Sequence, residues 1–415
     1  MTHILRLFIP FALGYFLSFL YRVVNSVIAT DLITELGLTA SELGLISSAY
    51  FFTFAVFQIP LGILLDRYGP RRVEASLLLF AVAGAVVFAQ ASDLSELILG
   101  RALIGLGVSA CLMAAFKAYV VWFDVSRLAL VNGLQLAAGG LGALMGTVPV
   151  QAAMAFTDWR GIFMFLAVMT AIIAVLVFVA VPKGEQEGHS EPLKEQFNGM
   201  LKVIHSPVFW RIAPLSIIAQ AVLLAIQTLW IGPWLQDVAG LSQQQAAIEL
   251  LWIAGALTAG FLLNGLITMR LGKWGIQPMA VAIGGMLIFM LIQCGILLIN
   301  TSEITNAWLL FAFFGTFCMI PYAALSKEFP KHLNGRLITL LNLQVFILAF
   351  VMQWLFGVIL DFFLANEASG YPPEGYQAAM AIFLVLQALA VVWLIFFRKG
   401  TLSLYTPFRE TRTSS

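Results

Sequence analysis

Charge is what this chain lacks most. Only 10% of its 415 residues are Asp, Glu, Lys or Arg, and 61% are hydrophobic. Soluble domains carry roughly 25% charged residues, so a chain this apolar, with mean hydropathy +0.95, belongs in a bilayer. Histidine is also scarce. His3, His189, His205 and His332 fall in termini or between apolar runs, which argues against a histidine proton relay inside a membrane. Cys111, Cys294 and Cys318 lie within apolar runs and read as small apolar side chains, neither a disulfide framework nor a metal site. The apolar runs hold no Gly-Lys-Ser/Thr phosphate loop and no nucleophile–base constellation. An enzyme is therefore not expected, and no cofactor or metal is expected. The net charge of +1 is spread along the chain and gives no sign of a nucleic-acid partner.

Long hydrophobic runs are abundant instead. A spanning helix needs about 20 largely apolar residues, and helices are the expected form because isolated strands leave their backbone unsatisfied in lipid. Twelve spans are predicted, near 4–29, 41–64, 73–91, 95–121, 129–155, 161–181, 209–234, 244–268, 276–299, 306–326, 337–362 and 377–397. The first run is too long for a cleaved signal and carries Arg22. With both termini cytoplasmic, the inner side receives Arg67, Arg71, Arg72, Arg127, Lys183, Lys194, Lys202, Arg270, Lys273, Lys327, Lys331, Arg336, Arg398 and Lys399. The outer loops then receive only Arg160. That asymmetry is the positive-inside pattern, and it predicts a multi-pass protein of the cytoplasmic (inner) membrane.

Between Pro182 and Pro207 polar residues replace the apolar run, dividing the spans six and six. The expected organisation is a six-helix bundle at 1–181 and a cytoplasmic linker at 182–207, helical around Leu193–Ile204. A second six-helix bundle follows at 208–397, then a cytoplasmic tail at 398–415. The halves echo each other. Gly62-Ile-Leu-Leu-Asp66-Arg67-Tyr-Gly69-Pro-Arg71-Arg72 after the second span is matched after the eighth by Gly265-Leu-Ile-Thr-Met269-Arg270-Leu-Gly272-Lys273. Arg127 precedes Gln135 by eight residues, and Arg336 precedes Gln344 by the same interval. Duplication of a six-span unit is the plan of many secondary transporters, with cargo bound between the halves.

The Gly62–Arg72 stretch resembles the signature loop of the major facilitator superfamily. Arg101-Ala-Leu-Ile-Gly105-Leu-Gly107 and Trp159-Arg160 are similar to further features of that family. The resemblance covers the whole chain and implies two pseudo-symmetric six-helix bundles working by alternating access. Lys117, ahead of Trp122-Phe123 and Arg127, resembles the organic-anion branches, although snorkelling to the headgroups also accounts for it. Two departures narrow the cargo. Phosphate-ester members present a second Arg from the seventh span, whereas here Arg211 stands only at its start. Thr147-Val-Pro149 departs from the Gly-Pro pattern of drug exporters.

Arg22 is the first candidate for contacting cargo. A charge at mid-bilayer costs about 3 kcal/mol on insertion scales, and Tyr15, Ser18, Arg22 and Asn25 step by three or four, forming one polar helical stripe. Gln220, Gln227 and Trp234 recur every seven residues and face Arg22 in this reading. Interhelical bonding is the alternative for these amides, as for Gln58, Gln135, Asn342, Gln344 and Gln353. Gly139, Gly142 and Gly146 read as close helix packing. Asp66, with Arg67 and Arg127, reads as a gate latch on the cytoplasmic side, the flanking Arg71 and Arg72 as topological anchors. Arg101 reads equally as a structural Arg on backbone carbonyls or as a coupling residue. Glu249 is the first candidate for proton coupling because it stands past a span boundary among Leu250, Leu251 and Trp252. Asp31 is the second, or else a solvated helix-end acid.

Together these features predict a monomeric carrier of a small organic anion, a carboxylate before a phosphate, with the proton as coupling ion and uptake as direction. An exporter of amphiphilic compounds by proton antiport, and a non-transporting receptor on a carrier scaffold, are the competing readings.

Overall fold

The computed structural model describes residues 2–182, 193–298, 305–330, 333–363 and 370–397. Lys183, His189, Lys331, His332, Arg398, Lys399 and the predicted tail lie outside them. The chain is all-helical, with helices that run back and forth as predicted. The first half comprises α1 (Thr2–Val23), α2 (Asn25–Leu36), α3 (Ala40–Gln90), α4 (Leu94–Gly107), α5 (Cys111–Trp122), α6 (Val125–Met145), α7 (Val148–Ala153) and α8 (Trp159–Ala180). A short α9 (Leu193–Ile204) covers the expected linker helix. The second half comprises α10 (Pro207–Ala225), a π-helical turn (Ile226–Trp230), α11 (Ile231–Asp237), α12 (Gln243–Lys273) and α13 (Pro278–Leu298). It continues with α14 (Thr305–Gly315), a 3-10 turn (Thr316–Met319), α15 (Ile320–Glu328), α16 (Asn334–Asp361) and α17 (Pro373–Phe396).

Among the described residues, eleven helical stretches are long and apolar enough to cross a membrane. One counts twice. With 51 residues, α3 would be about 77 Å long at 1.5 Å per residue, more than twice a hydrocarbon core of about 30 Å. It breaks at Gly69, whose φ of 77° and ψ of 158° lie where only glycine is comfortable, and Pro70 restarts the helix at a position that needs no backbone donor. Two arms, and so twelve spans, result. The start of α1, the end of α17, α9 and the Gly69 turn share one face of the bundle, here the terminal face. The α2–α3 and α11–α12 connections, with the end of α16, lie at the opposite face.

Small residues let the first half close. Gly142 sits under the Phe16 backbone carbonyl, Gly139 under the Tyr15 and Phe19 rings, and Gly146 beside Val23, so α6 packs its backbone directly on α1. The Trp159-Arg160 pair clasps Glu35 at the opposite face: the indole Nε1 donates to Glu35 Oε2 at 2.6 Å, and the guanidinium pairs with Oε1. The halves are joined at that same face. Asp361 accepts from the Ala40 and Ser41 amides at the start of α3 (2.9 and 3.0 Å) and from the Tyr371 hydroxyl (2.9 Å). Gln243 donates to Asp31 (2.7 Å), and Thr30 to Gln236 (3.1 Å). Gly232 of α11 lies against the Ser26 carbonyl of α2.

Two outcomes follow. Gly142→Val forces a branched side chain onto the Phe16 carbonyl and should destabilise the protein by about 1–3 kcal/mol; an unchanged detergent melting curve would refute the direct backbone contact. Asp361→Ala removes the carboxylate that binds the α3 N-terminus and should raise the population open at the opposite face by about five- to thirtyfold. The check is the labelling rate of a cysteine replacing the sealed Asn25, with the native cysteines removed. A rate unaffected by Asp361→Ala would show that the contact does not hold that face shut.

Candidate functional site

A cavity of about 1590 Å³ lies between the halves. Its walls run from Arg22, Phe54 and Gln227 at mid-bundle to Arg211, Gln277, Lys327 and Glu328, which stand at helix ends on the terminal face. With the opposite face bonded shut, this is a cavity open toward the terminal face.

Arg22 occupies its inner end. It is 7% exposed, and its guanidinium lies over four aromatic rings: Phe19 (4.6 Å to the ring centre), Tyr50 (5.6 Å), Phe54 (5.5 Å) and Phe346 (5.4 Å). Ring faces offer a cation about 0.5–2 kcal/mol each, and the last turn of α1 adds a favourable helix dipole. Neither is a hydrogen-bond acceptor. Among the described residues Arg22 has no ion pair, and its Nε is buried without a partner. The position is rigid. Arg101, 1% exposed, donates to the Tyr21 carbonyl at 2.8 Å, fixing the backbone one residue before Arg22. The structural half of the Arg101 reading is thus present, and Arg101 does not line the cavity.

Tyr15 and Ser18 share the wall with Arg22, and Ser18 Oγ meets the Tyr50 hydroxyl at 3.2 Å. Asn25 departs from the predicted stripe. It is fully buried, its amide atoms lack partners, and it does not line the cavity. Two causes combine: the helix breaks at Val24, and α11 seals α2 at Ser26.

Across the cavity, Gln220 and Gln227 line the wall. Gln220 accepts from the Tyr322 hydroxyl at 2.9 Å. Trp234, expected on the same face, is instead buried against Trp308 at 5.2 Å. The π-helical turn explains the difference. Its extra residue rotates everything downstream by about 100°, so the seven-residue stripe ends at Gln227. Gln353 pins this turn through Thr228 (3.0 Å) and accepts from Trp230 through its carbonyl (3.0 Å). Gln58 and Gln135 are likewise occupied with backbone carbonyls, at Ser109 (3.2 Å) and Phe11 (3.0 Å), while Asn342 reaches the cavity.

Asp66 does not meet Arg127. It forms an ion pair with Lys117 of the same half, both side chains roughly one-third exposed. The start of α6 leaves Arg127 exposed, and Arg67 stacks on Tyr68 at 5.3 Å. Lys117 therefore does more than snorkel. The two coupling candidates also move. Asp31 is taken up by Gln243, and Glu249 is half-exposed on α12, away from the cavity wall; Leu250 beside it is buried but Trp252 points outward. The sequence also hid Arg211 and Lys327, which read as helix-end residues yet line the mouth, and Glu74, which stands one residue inside the third predicted span and is fully buried. No His/Cys/Asp/Glu group suited to a metal occurs among the described residues.

Comparison with known proteins agrees with this architecture. The chain is 30% identical over 158 residues to a probable sulfoacetate transporter of Cupriavidus necator, covering 38% of this chain and 37% of that protein. It is 25% identical over 279 residues to a probable L-galactonate transporter of Escherichia coli K12, covering 63% and 61%. A nitrate/nitrite transporter of Nostoc punctiforme is 27% identical over 208 residues, covering 48% and 40%. The matches thus span between about a third and three fifths of these relatives' lengths. Among solved structures, a bacterial homologue of the human lysosomal transporter Spinster, inward-facing and unoccupied, superposes with a TM-score of 0.79 at 17% identity, covering 98% and 99% of the chains. A D-xylose–proton symporter gives 0.75 at 16%, covering 96% and 99%. Residues 11–352 match the Major Facilitator Superfamily, and the chain is a member of that family: a multi-pass membrane protein with twelve spans among its described residues.

Proposed function

We propose that this protein carries a small organic anion, a carboxylate or sulfonate, across the cytoplasmic membrane by alternating access, with its termini in the cytoplasm and the proton as driving ion for uptake. The observation that carries the reading is Arg22: an enclosed guanidinium, wrapped by rings, facing the cavity with no carboxylate paired to it among the described residues. A charge so placed is completed by an anion from outside the protein. Arg211 and Lys327 at the mouth, against Glu328 alone, add an attractive entry for anions. The named cargoes of the relatives, sulfoacetate, galactonate and nitrate, are all anions, and a single deep Arg favours a singly charged group over a phosphate dianion. Gln220 and Gln227 then bond the polar remainder of the cargo from the facing wall. A second reading, export of an amphiphilic anion, draws on Phe19, Phe54, Leu112, Met113 and Phe261 in the same wall.

The test is uptake into proteoliposomes from a panel of labelled sulfoacetate, galactonate, gluconate, nitrate and a hydrophobic dye. Arg22→Gln should weaken anion binding about ten- to hundredfold, and Arg22→Lys by less, because the charge survives without the fork. Wild-type anion uptake by folded Arg22→Gln would end the reading, and dye transport alone would favour export.

In the gating part of this proposal, Asp66 exchanges Lys117 for partners across the closing terminal face. An ion pair this exposed contributes about 0–1 kcal/mol in the state seen here. Asp66→Asn should therefore leave anion affinity within a few-fold while lowering the population closed at the terminal face. Distances between spin labels across that face provide the check, and an unchanged distribution would return Asp66 to topology.

A further inference from the structure

Behind the cavity wall lies an acid that the cargo reading does not use. Glu74 sits one turn after Pro70, at the start of the second arm of α3. It is 0% exposed, neither carboxyl oxygen has a nitrogen or oxygen hydrogen-bond partner, and the donor beside it is the weak thiol of Cys111. Gly14 of α1 closes directly over it: a side-chain carbon at position 14 would collide with Glu74 Oε1. Cys111 of α5 stands beside both, its Sγ 3.6 Å from where that side-chain carbon would lie. The arrangement is a cradle whose lid is a glycine of the helix that carries Arg22.

Nothing charged answers this carboxyl. The other titratable groups near it are Tyr119 of α5, whose hydroxyl is spent on Gln135 at 2.7 Å, and Tyr15 of α1, which neighbours Cys111. On its own helix, Arg71 points to the Phe178 carbonyl at 2.6 Å and Arg72 is exposed. The facing span of α8 has no titratable residue between Gly161 and Val181. Among the described residues no Lys, Arg or His forms an ion pair with Glu74. An ionised carboxylate enclosed with no cation and only a weak thiol donor is far costlier than the neutral acid. The cradle therefore suits the acid with its proton on.

We propose that Glu74 is a proton-binding site whose occupancy is linked to the position of α1, and through it to the state of the cavity. With Gly14 seated on it, Glu74 holds a proton. A displacement of α1 that uncovers the cradle lets water reach the carboxyl and lets the proton leave. Tyr15, next to Gly14, walls the cavity, and Arg22 lies two turns further along the same helix. Proton and cargo thus act on adjoining positions of one helical segment, Gly14 lying one turn before Ser18 of the cavity wall, and Arg101 anchors its far end. The consequence for transport rests on the proposed anion site at Arg22; the protonation of Glu74 does not.

Two measurements on the full-length protein in lipid nanodiscs test this without any cargo. The first is infrared difference spectroscopy between neutral and alkaline pH. The carbonyl stretch of a neutral, weakly bonded carboxyl should be present at about pH 7, absent in Glu74→Gln, and shifted in Gly14→Ala, which presses a methyl on the same oxygen. A band unaffected by both variants would overturn the proposal. The second is the distance between spin labels on Leu130→Cys and Trp274→Cys, either side of the terminal mouth. From about pH 6 to about pH 9 the mouth-open population should change at least about threefold in wild type and stay nearly constant in Glu74→Gln. An equal pH response in both, or none in wild type, refutes the link to α1. If these results hold while no anion of the panel is transported, the proton site stands and the cargo reading fails. If anions move while Glu74→Gln still accumulates them along a pH gradient, the anion site stands and coupling through Glu74 fails.

Discussion

A guanidinium enclosed at the inner end of the cavity, with no protein carboxylate paired to it among the described residues, is the constraint from which the rest of this molecule is best understood. Arg22 cannot be placed by a salt bridge, so it is placed by its backbone. Arg101 holds the preceding carbonyl, and the glycines of α6 bring a second helix flush against α1. The rings of Phe19, Tyr50, Phe54 and Phe346 lower the cost of the charge but point it nowhere. Rings accept a cation over a broad range of angles, whereas a carboxylate fixes the fork in a plane. The site is therefore preorganised in position and unsatisfied in charge, which is the condition under which an external anion gains most from binding.

The two faces of the bundle are built unequally. At the opposite face the halves meet through Asp361 on the first amides of α3, Asp31 with Gln243, and Thr30 with Gln236. Helix N-termini attract carboxylates through unpaired amides and the dipole alike, so Asp361 is the strongest of these contacts. The ion pair near the terminal face, Asp66 with Lys117, lies within one half and does not cross the mouth. The balance between the two open states is thus set by how well the terminal face can assemble bonds to replace those at the opposite face. A few charge-assisted hydrogen bonds, each of about 1.5–3 kcal/mol, are enough to reverse such a preference.

Much of the fold was legible in the sequence because hydropathy is a local property. The spans, the division of α3 between 64 and 73 and the helix at Leu193–Ile204 all follow from residue type within a short window. Part of the site was legible for the same reason: an Arg amid apolar residues is conspicuous wherever it points. What escaped is tertiary. The π-helical turn at Ile226–Trp230 leaves no pattern in the sequence, yet it takes Trp234 off the stripe that Gln220 and Gln227 begin. Asn25 was lost to the closure of α11 on α2, an event of two halves. Lys117 and Arg127 are equivalent to a reader of spacing, and only the inward side of α5 decides for Lys117. Glu74 and Glu249 show the same limit in reverse. Both stand just inside a predicted boundary, but α1 covers the first and nothing covers the second.

That last contrast bears on how an anion and a proton would share one carrier under the proposed function. Coupling is reciprocal: whatever proton binding does to anion affinity, anion binding does to proton affinity by the same factor. Charges that face each other directly would satisfy this simply, but Glu74 does not line the cavity that Arg22 faces, and the two meet α1 about two turns apart. On the proposed reading the linkage runs through the seating of Gly14, so its strength depends on how little α1 can deform between Gly14 and Arg22. The α6 glycine track and the Arg101 tether both stiffen that interval. A softer α1 would let the cargo settle on Arg22 while the cradle stayed shut, and the proton gradient would then do no work on the anion. Close backbone packing along this helix is, in that sense, a requirement of coupling as much as of stability.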